Sequence, residues 1–225
     1  MLKIPALLSQ DELREFRGVL DAAGWVDGRA TAGHLAGRVK SNLQLPLDGP
    51  EAKQLGGVIL ERLGRNPLFI ASVLPLKVLA PRFNRYEGGG TYGNHIDNAL
   101  FPDPSTGGYV RTDVSCTLFL NEPDEYEGGE LVVEDSFGEH RVKLPAGDMV
   151  VYPGTSHHRV TPVTSGKRLA SFFWTQSLVR SDIQRRTLFE LDSAIQRLSA
   201  DHPDHGSIAE LTGVYHNLLR QWSVT

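Results

Sequence analysis

The sequence predicts a mainly β protein with flanking helices, an α+β chain whose core is a jelly roll, also called a double-stranded β-helix. Between residues 76 and 177, about eight short segments rich in β-branched and aromatic residues are separated by turns rich in Gly, Pro and Asp. No helical spacing interrupts them, which is typical of a sandwich or closed barrel. The predicted strands are 76–86, 91–97, 113–120, 130–135, 140–144, 149–152, 157–162 and 168–177.

Helical spacing returns at both ends of the chain. Residues 9–25 open with a capping box, Ser9 to Glu12, and place apolar residues on one stripe. A second helix is predicted at about 50–63, with Pro50 in its first turn and Gly64 as its stop. Further helices are predicted at 181–199 and 207–222. We therefore expect a helical support region at 1–75, the β core at 76–180 and a helical extension at 181–225.

Residues 25–46, between the first two helices, are polar, basic and punctuated by glycine. The alternation of Asn42 and Gln44 with Leu43 and Leu45 predicts a short strand, which we place near the entrance of a site.

Bulk composition excludes several classes of protein. The net charge of −4 over 225 residues gives no reason to expect nucleic-acid binding. Cys116 is the only cysteine, so no internal disulfide can form and a reducing compartment is expected. The N-terminus does not resemble a signal peptide, and no apolar run approaches the ~18 residues of a membrane span. We expect a cytoplasmic protein that binds neither nucleic acid nor membrane.

His95 and Asp97 end the stretch 86–97 and are the first candidates for chemistry. In an extended strand they point to the same side, about 7 Å apart. An imidazole and a carboxylate on one face are two thirds of the 2-His-1-carboxylate set that binds Fe(II) with coordination positions open. A surface pair in a turn is the alternative, so a third ligand must be found elsewhere.

The doublet His157–His158 offers that ligand, because it enters a predicted strand directly after a turn. Neighbours in a strand face opposite sides, so at most one of the two can bind the same ion. His158 shares a face with apolar Val160, and His157 shares one with Arg159, which favours His158. The other histidines lie in charged or helical surroundings or in the polar N-terminal segment: His34, His140, His202, His205 and His216.

Arg168 begins an otherwise apolar strand, ten residues after His158. It is either a solvated charge at a strand end or an inward guanidinium that clamps a carboxylate bidentately. In the second case Ala170, Phe172 and Trp174 also face inward, where the aromatic rings exclude water.

Segments spread over the chain resemble a known family: Phe83–Tyr86, Tyr92–Asp97, Arg111–Asp113, Gly128–Val133, His140–Asp148, Val160–Thr164, Ala170–Trp174, Leu188–Asp192 and Tyr215–Leu219. The chain resembles Fe(II)- and 2-oxoglutarate-dependent dioxygenases of the prolyl/lysyl hydroxylase type. More closely it is similar to the bacterial PKHD-type hydroxylases, the PiuC-like proteins often associated with iron uptake.

The resemblance implies roles for individual residues. It assigns His95, Asp97 and His158 as iron ligands, and Arg168 as the residue that binds the distal carboxylate of 2-oxoglutarate. All four are implied to be catalytic residues. Tyr86 stands where related prolyl hydroxylases place a tyrosine whose hydroxyl meets the same co-substrate; a structural role in the core is its equal alternative. This sequence departs from the family pattern at His157, where relatives often have leucine or another apolar residue.

The implied activity couples oxidative decarboxylation of 2-oxoglutarate, with O₂, to hydroxylation of a substrate, with ascorbate as reductant. A protein side chain and a small molecule, linked to iron uptake or homeostasis, are equally compatible substrates. A non-catalytic sensor of iron and 2-oxoglutarate, or a cupin-like metalloenzyme without 2-oxoglutarate, are the rival hypotheses.

Three further expectations concern the surroundings of the site. Ser115, Thr117 and Phe119 are expected to line the pocket, with Cys116 as inert packing on the opposite face. Residues 98–112 form either a mobile lid or an ordinary connection. The C-terminal helices, with Leu218, Leu219 and Trp222, could form an interface between copies, so a homo-oligomer is compatible with the sequence.

Overall fold

A computed structural model describes residues 1–31, 39–103 and 106–224. It consists of two antiparallel β-sheets that share a buried apolar cluster, with a layer of helices on the outer side of the larger sheet. This is the mainly β architecture with flanking helices that the sequence predicts. His34 and Arg38, in the polar N-terminal segment, lie outside the described residues.

The larger sheet has nine strands in the order β1-β14-β10-β16-β6-β4-β2, and β11 and β5 also pair with the long strand β16. Its strands are β1 (Leu2–Ile4), β2 (Val26–Asp27), β4 (Leu43–Gln44), β5 (Pro75–Val78), β6 (Arg82–Glu87), β10 (Val114–Phe119), β11 (Tyr126–Gly128), β14 (Met149–Pro153) and β16 (Val163–Ser177). Strand β16 is central to it, since it pairs along its length with β10, β11, β6 and β5.

The smaller sheet has the order β13-β12-β15-β7-β3. Its strands are β3 (Lys40–Ser41), β7 (Thr91–His95), β12 (Leu131–Asp135), β13 (Gly138–Val142) and β15 (His158–Val160). A separate hairpin, β8 (Leu100–Asp103) with β9 (Gly108–Arg111), follows β7. The hairpin occupies most of the segment that the sequence presents as a single loop.

Within the described residues, five α-helices flank the sheets: α1 (Gln10–Ala22), α2 (Pro50–Gly64), α3 (Pro67–Val73), α4 (Asp182–Asp201) and α5 (Ser207–Trp222). The capping box of α1 is present, because the Ser9 side chain accepts from the Glu12 amide while the Glu12 carboxylate accepts from the Ser9 amide. The helical stripe of α1 and α2 packs on the larger sheet through Phe16 and Ile59, among others.

Several local predictions differ from the structure. Gly64 does not stop α2 but is its last residue, and Arg65 caps the helix. Helix α3 is absent from the prediction, because its seven residues are too few for a clear period. The predicted strand 76–86 is two strands, β5 and β6. Within α2, Gly56 lies against Pro81, where an added Cβ would come to 3.4 Å from Cδ of the proline.

The C-terminal helices α4 and α5 pack on each other, and α4 also packs on α3. Their contact contains Leu188, Leu219 and Trp222. No helix in the described part of the chain is long and apolar enough to cross a membrane. The boundaries at 75 and 180 between the three predicted regions stay a prediction.

Candidate active site

Three predicted side chains meet between the two sheets. His95 is the last residue of β7 and His158 the first residue of β15, and the two are paired directly across these antiparallel strands. Asp97 follows two residues after His95. One ligand atom from each of the three lies within 4.8 Å of the others. His157 is exposed and does not take part, so the strand alternation brings His158 into the cluster.

The backbone orients both imidazoles. Nδ1 of His95 donates to the Gly93 carbonyl at 2.8 Å, and Nδ1 of His158 donates to the Ser156 carbonyl at 3.1 Å. Each bond places the proton on Nδ1, so the lone pair of Nε2 points to the centre of the cluster. The Nε2 atoms lie 3.8 Å (His95) and 3.6 Å (His158) from the carboxylate oxygens of Asp97.

Asp97 is held by Ser115 of the larger sheet, whose hydroxyl donates to Oδ2 at 2.7 Å. This bond connects the cluster to the opposite sheet. The sequence predicts Ser115 as a lining residue, but its contact with Asp97 depends on how two distant strands are placed. A supporting bond of this type orients a ligand carboxylate.

Burial keeps His95 neutral. Desolvation, with the nearby His158 as the next cause, lowers the pKa of His95 to about 4. The ring also stacks on Tyr92, with centroids 3.6 Å apart, and Tyr152 packs edge-on to His158. Two imidazoles that present Nε2 beside one carboxylate suit Fe(II), because this donor set leaves coordination positions open.

Arg168 enters the same cavity from strand β16 and is only 1% exposed. Its guanidinium carbon lies 5.4 Å from the ring centre of Tyr86 and 5.3 Å from that of Phe119. Among the described residues Nε and Nη2 have no hydrogen-bond partner. A buried charge without a partner is costly, so these atoms fit an incoming carboxylate. Gly129 (φ +63°) leaves space, since a Cβ there would come to 3.0 Å from Arg168 Cδ.

Tyr86 is opposite Arg168 in the sheet register and is fully enclosed. Burial raises the pKa of its hydroxyl to about 12, so the hydroxyl stays protonated at neutral pH. The oxygen accepts from Asn84 Nδ2 at 3.3 Å. The phenol can therefore donate its own hydrogen into the cavity.

The cavity wall agrees in part with the predicted lining. Ser115 and Thr117 line it, and Phe119 packs under Arg168. Cys116 belongs to the apolar cluster on the other side, and burial raises the pKa of its thiol to about 12, although the residue also borders the cavity. Sequence reasoning missed Lys40 and Arg82 as lining residues.

Comparison with known proteins gives the same picture for the whole chain. Residues 81–176 match the model of the 2OG-Fe(II) oxygenase superfamily, and residues 182–223 match the PKHD-type hydroxylase C-terminal domain. A PKHD-type hydroxylase of Delftia acidovorans is 64% identical over 223 residues, 99% of each chain. One from Parvibaculum lavamentivorans is 59% identical over the full length of both.

The chain belongs to the PKHD-type hydroxylases. It is therefore a 2OG-Fe(II) oxygenase, an enzyme class that uses Fe(II), 2-oxoglutarate, O₂ and a substrate. The crystal structure of a Pseudomonas putida prolyl-4-hydroxylase shares the fold, with a TM-score of 0.53 and 23% identity over 78% of this chain and 91% of that one. The jelly-roll prediction is confirmed, as is the family resemblance.

Proposed function

We propose that this PKHD-type hydroxylase holds Fe(II) through Nε2 of His95, Nε2 of His158 and the carboxylate of Asp97. We further propose that Arg168 binds the distal carboxylate of 2-oxoglutarate in the same cavity. The observation that carries the proposal is the buried guanidinium of Arg168, whose Nε and Nη2 have no hydrogen-bond partner among the described residues, in the same cavity as the cluster of two imidazoles and one carboxylate. Burying the Arg168 guanidinium lowers the stability of the folded chain, and an anionic ligand at this position would offset that cost.

When bound, Fe(II) and 2-oxoglutarate supply the oxidative chemistry that uses O₂ to hydroxylate a C–H bond and leaves succinate and CO₂. The chain supplies orientation and dryness. The carbonyls of Gly93 and Ser156 fix the two imidazoles, and Ser115 fixes the carboxylate. Aromatic rings from β16 close the wall, which strengthens each electrostatic contact inside.

Tyr86 is proposed as the second contact of the co-substrate. Its hydroxyl oxygen is occupied by the Asn84 amide, so its hydrogen is available to a carboxylate held at Arg168. The register supports this, because Tyr86 and Arg168 are paired across β6 and β16. A purely structural tyrosine would tolerate removal of the hydroxyl without loss of 2-oxoglutarate affinity.

The test is release of succinate from 2-oxoglutarate by the purified protein with Fe(II) and ascorbate. We expect release by the wild type and roughly a 10²- to 10⁴-fold loss of 2-oxoglutarate affinity in Arg168→Gln, since removing one partner of a buried charge-assisted pair costs about 3–5 kcal/mol. Fe(II) binding should be largely retained. Lys167→Gln, an exposed neighbour on the same strand, is the matched control.

No succinate from the wild type, with or without added substrates, would favour a sensor that binds iron and 2-oxoglutarate without turnover. Full activity of Arg168→Gln would favour a metalloenzyme that does not use this co-substrate. Ascorbate as reductant, a cytoplasmic location and a link to iron uptake stay predictions, because they rest on the family resemblance and on composition.

A further inference from the structure

The cavity contains a second guanidinium, and the proposed contacts of 2-oxoglutarate do not involve it. Arg82 is the first residue of β6, and residues two apart in a strand share a face, so Arg82 is on the same side as Asn84 and Tyr86. All three line the cavity. In the register Arg82 is opposite Phe172, whereas Tyr86 is opposite Arg168. Four residues of strand, about 13 Å, therefore separate Arg82 from the proposed 2-oxoglutarate contacts.

Aromatic rings hold the Arg82 guanidinium in place. Its central carbon lies 5.0 Å from the ring centre of Phe101 and 5.1 Å from that of Trp174. The two rings stack on each other, with centroids 4.5 Å apart. A guanidinium that packs on aromatic faces is attracted to them while its N–H edge stays available for a planar acceptor.

No carboxylate neutralises Arg82 within the described part of the chain. Its side chain takes part in none of the ion pairs or hydrogen bonds formed there, although it is half-buried. Burial lowers the pKa of Arg82, and the carboxylate of Asp97, which lies beyond ion-pair distance, offsets this only in part. The other arginine on this strand, Arg85, points to the opposite face and pairs with Glu87.

The two guanidinium groups of the cavity differ in the ligand that can be assigned to them. Arg82 and Arg168 both line the cavity together with the carboxylate of Asp97. Fe(II) and the dianion 2-oxoglutarate carry equal and opposite charges, so binding both leaves the total charge of the cavity unchanged. With Asp97 assigned to the metal and Arg168 to 2-oxoglutarate, Arg82 is the guanidinium for which the described residues and the co-substrate supply no anion.

We propose that Arg82 binds an oxoanion of the substrate, a carboxylate or a phosphate, and that this hydroxylase acts on acidic substrates. The inference rests on the proposed function, since it takes Arg168 and the metal cluster as already occupied by 2-oxoglutarate and Fe(II). Arg82 fixes the acidic group at the aromatic end of the cavity, and the C–H bond to be hydroxylated lies toward His95 and His158. Neutral analogues of the substrate bind weakly for lack of this contact.

The indole of Trp174 reports on this position by NMR. The protein contains three tryptophans, so the ¹⁵N-labelled indole signals are few, and Trp174→Phe assigns the one of interest. The protein is loaded with Zn(II) and 2-oxoglutarate, which fills the metal cluster and Arg168. It is then titrated separately with acetate, methyl phosphate and neutral acetamide. We expect a saturable shift of the Trp174 signal with at least one anion and none with acetamide.

Variants decide whether Arg82 is the binding group. In Arg82→Gln the affinity for the anion should fall at least tenfold. Arg82→Lys keeps the charge without the planar fork, so its affinity should lie between those of the wild type and Arg82→Gln. Arg85→Gln, on the opposite face of the same strand, should stay within twofold of the wild type. The acetate and methyl phosphate arms show whether the substrate class is carboxylic or phosphorylated.

Three results would overturn the inference. They are no anion-dependent shift in the wild type, a shift that survives in Arg82→Gln, and a loss of 2-oxoglutarate affinity in Arg82→Gln as large as that in Arg168→Gln. The last would assign Arg82 to the co-substrate. Succinate release by the wild type is measured in parallel, so failure of the proposed function is seen separately from failure at Arg82.

Discussion

The two faces of the larger sheet have opposite characters, although the same strands build both. On β10, Cys116 and Leu118 face the helices and pack among apolar side chains, whereas Ser115 and Thr117 face the cavity. The helix-side cluster is made of aliphatic and aromatic groups. The cavity side holds polar and charged groups that are buried at a cost, such as Ser115 and Arg168.

The difference shows how strand alternation separates folding from chemistry. One face contributes the hydrophobic free energy that stabilises the sheet. The cavity face can then keep polar groups that lower the stability of the ligand-free protein but are positioned to bind ligands. Changes on the helix side should therefore lower the free energy of unfolding with little effect on ligand affinity. Changes on the cavity side should lower ligand affinity with a smaller effect on the free energy of unfolding.

The largest effect is expected at the metal cluster. His158→Gln removes a proposed ligand, so Fe(II) affinity should fall more than ~100-fold, beyond the 10–100-fold typical of lost supporting contacts. Anaerobic calorimetry with Fe(II) measures it. The exposed neighbour His157→Gln is the matched control and should bind Fe(II) within twofold of the wild type. Equal losses in both variants would contradict the separation of the doublet by strand phase.

On the helix side, Leu118→Ala should have its effect on stability alone. The side chain is completely buried, and deletion of such a leucine costs about 2–5 kcal/mol of unfolding free energy. Urea unfolding measures this loss, and Fe(II) bound per folded molecule should stay within twofold. Leu60→Ala, partly exposed on α2, should cost less than ~1 kcal/mol. A large loss of Fe(II) affinity in folded Leu118→Ala would break the comparison of the two faces.

Ser115→Ala tests the bond that joins the larger sheet to Asp97. Loss of such a supporting bond typically weakens metal affinity about 10–100-fold, while the stability of the metal-free protein should change by only about 1 kcal/mol. Thr117→Val, two residues along on the same face, makes no described bond to Asp97 and serves as control. Similar affinities of the two variants for Fe(II) would show that the Ser115 hydroxyl does not position the carboxylate.

The smallest effect concerns pH. The pKa of His95 is about 4 in the folded chain and 6.5 in an ordinary setting, so the unfolded chain binds the proton more readily. The metal-free protein should therefore lose stability as pH falls from about 6.5 to about 4, with His95 contributing up to ~1.4 kcal/mol per pH unit. Urea unfolding between pH 7 and pH 5 should show a shallower slope in His95→Gln. The same slope in both proteins would exclude this source.

Local patterns in the sequence predict much of this architecture. Alternation favours His158 over His157 as the inward histidine, and the capping box at Ser9 begins α1 where expected. Short elements escape such patterns: α3 has seven residues, and the strands of the β8–β9 hairpin have four each among Pro and Gly.

The contacts that complete the site depend on register between strands far apart in the chain. Ser115 meets Asp97 only because β10 lies behind the smaller sheet, and Arg82 meets Trp174 through the pairing of β6 with β16. No spacing within one segment carries that information. Composition likewise could not predict that Lys40, from the polar N-terminal segment, lines the cavity.

The uncompensated charge of Arg168 has a consequence for the protein in the cell. An anion that binds only the folded form stabilises it by RT ln(1 + [L]/Kd), in addition to relieving the buried charge. Under the proposed binding of 2-oxoglutarate at Arg168, the resistance of the folded protein to proteolysis should therefore rise with the concentration of 2-oxoglutarate.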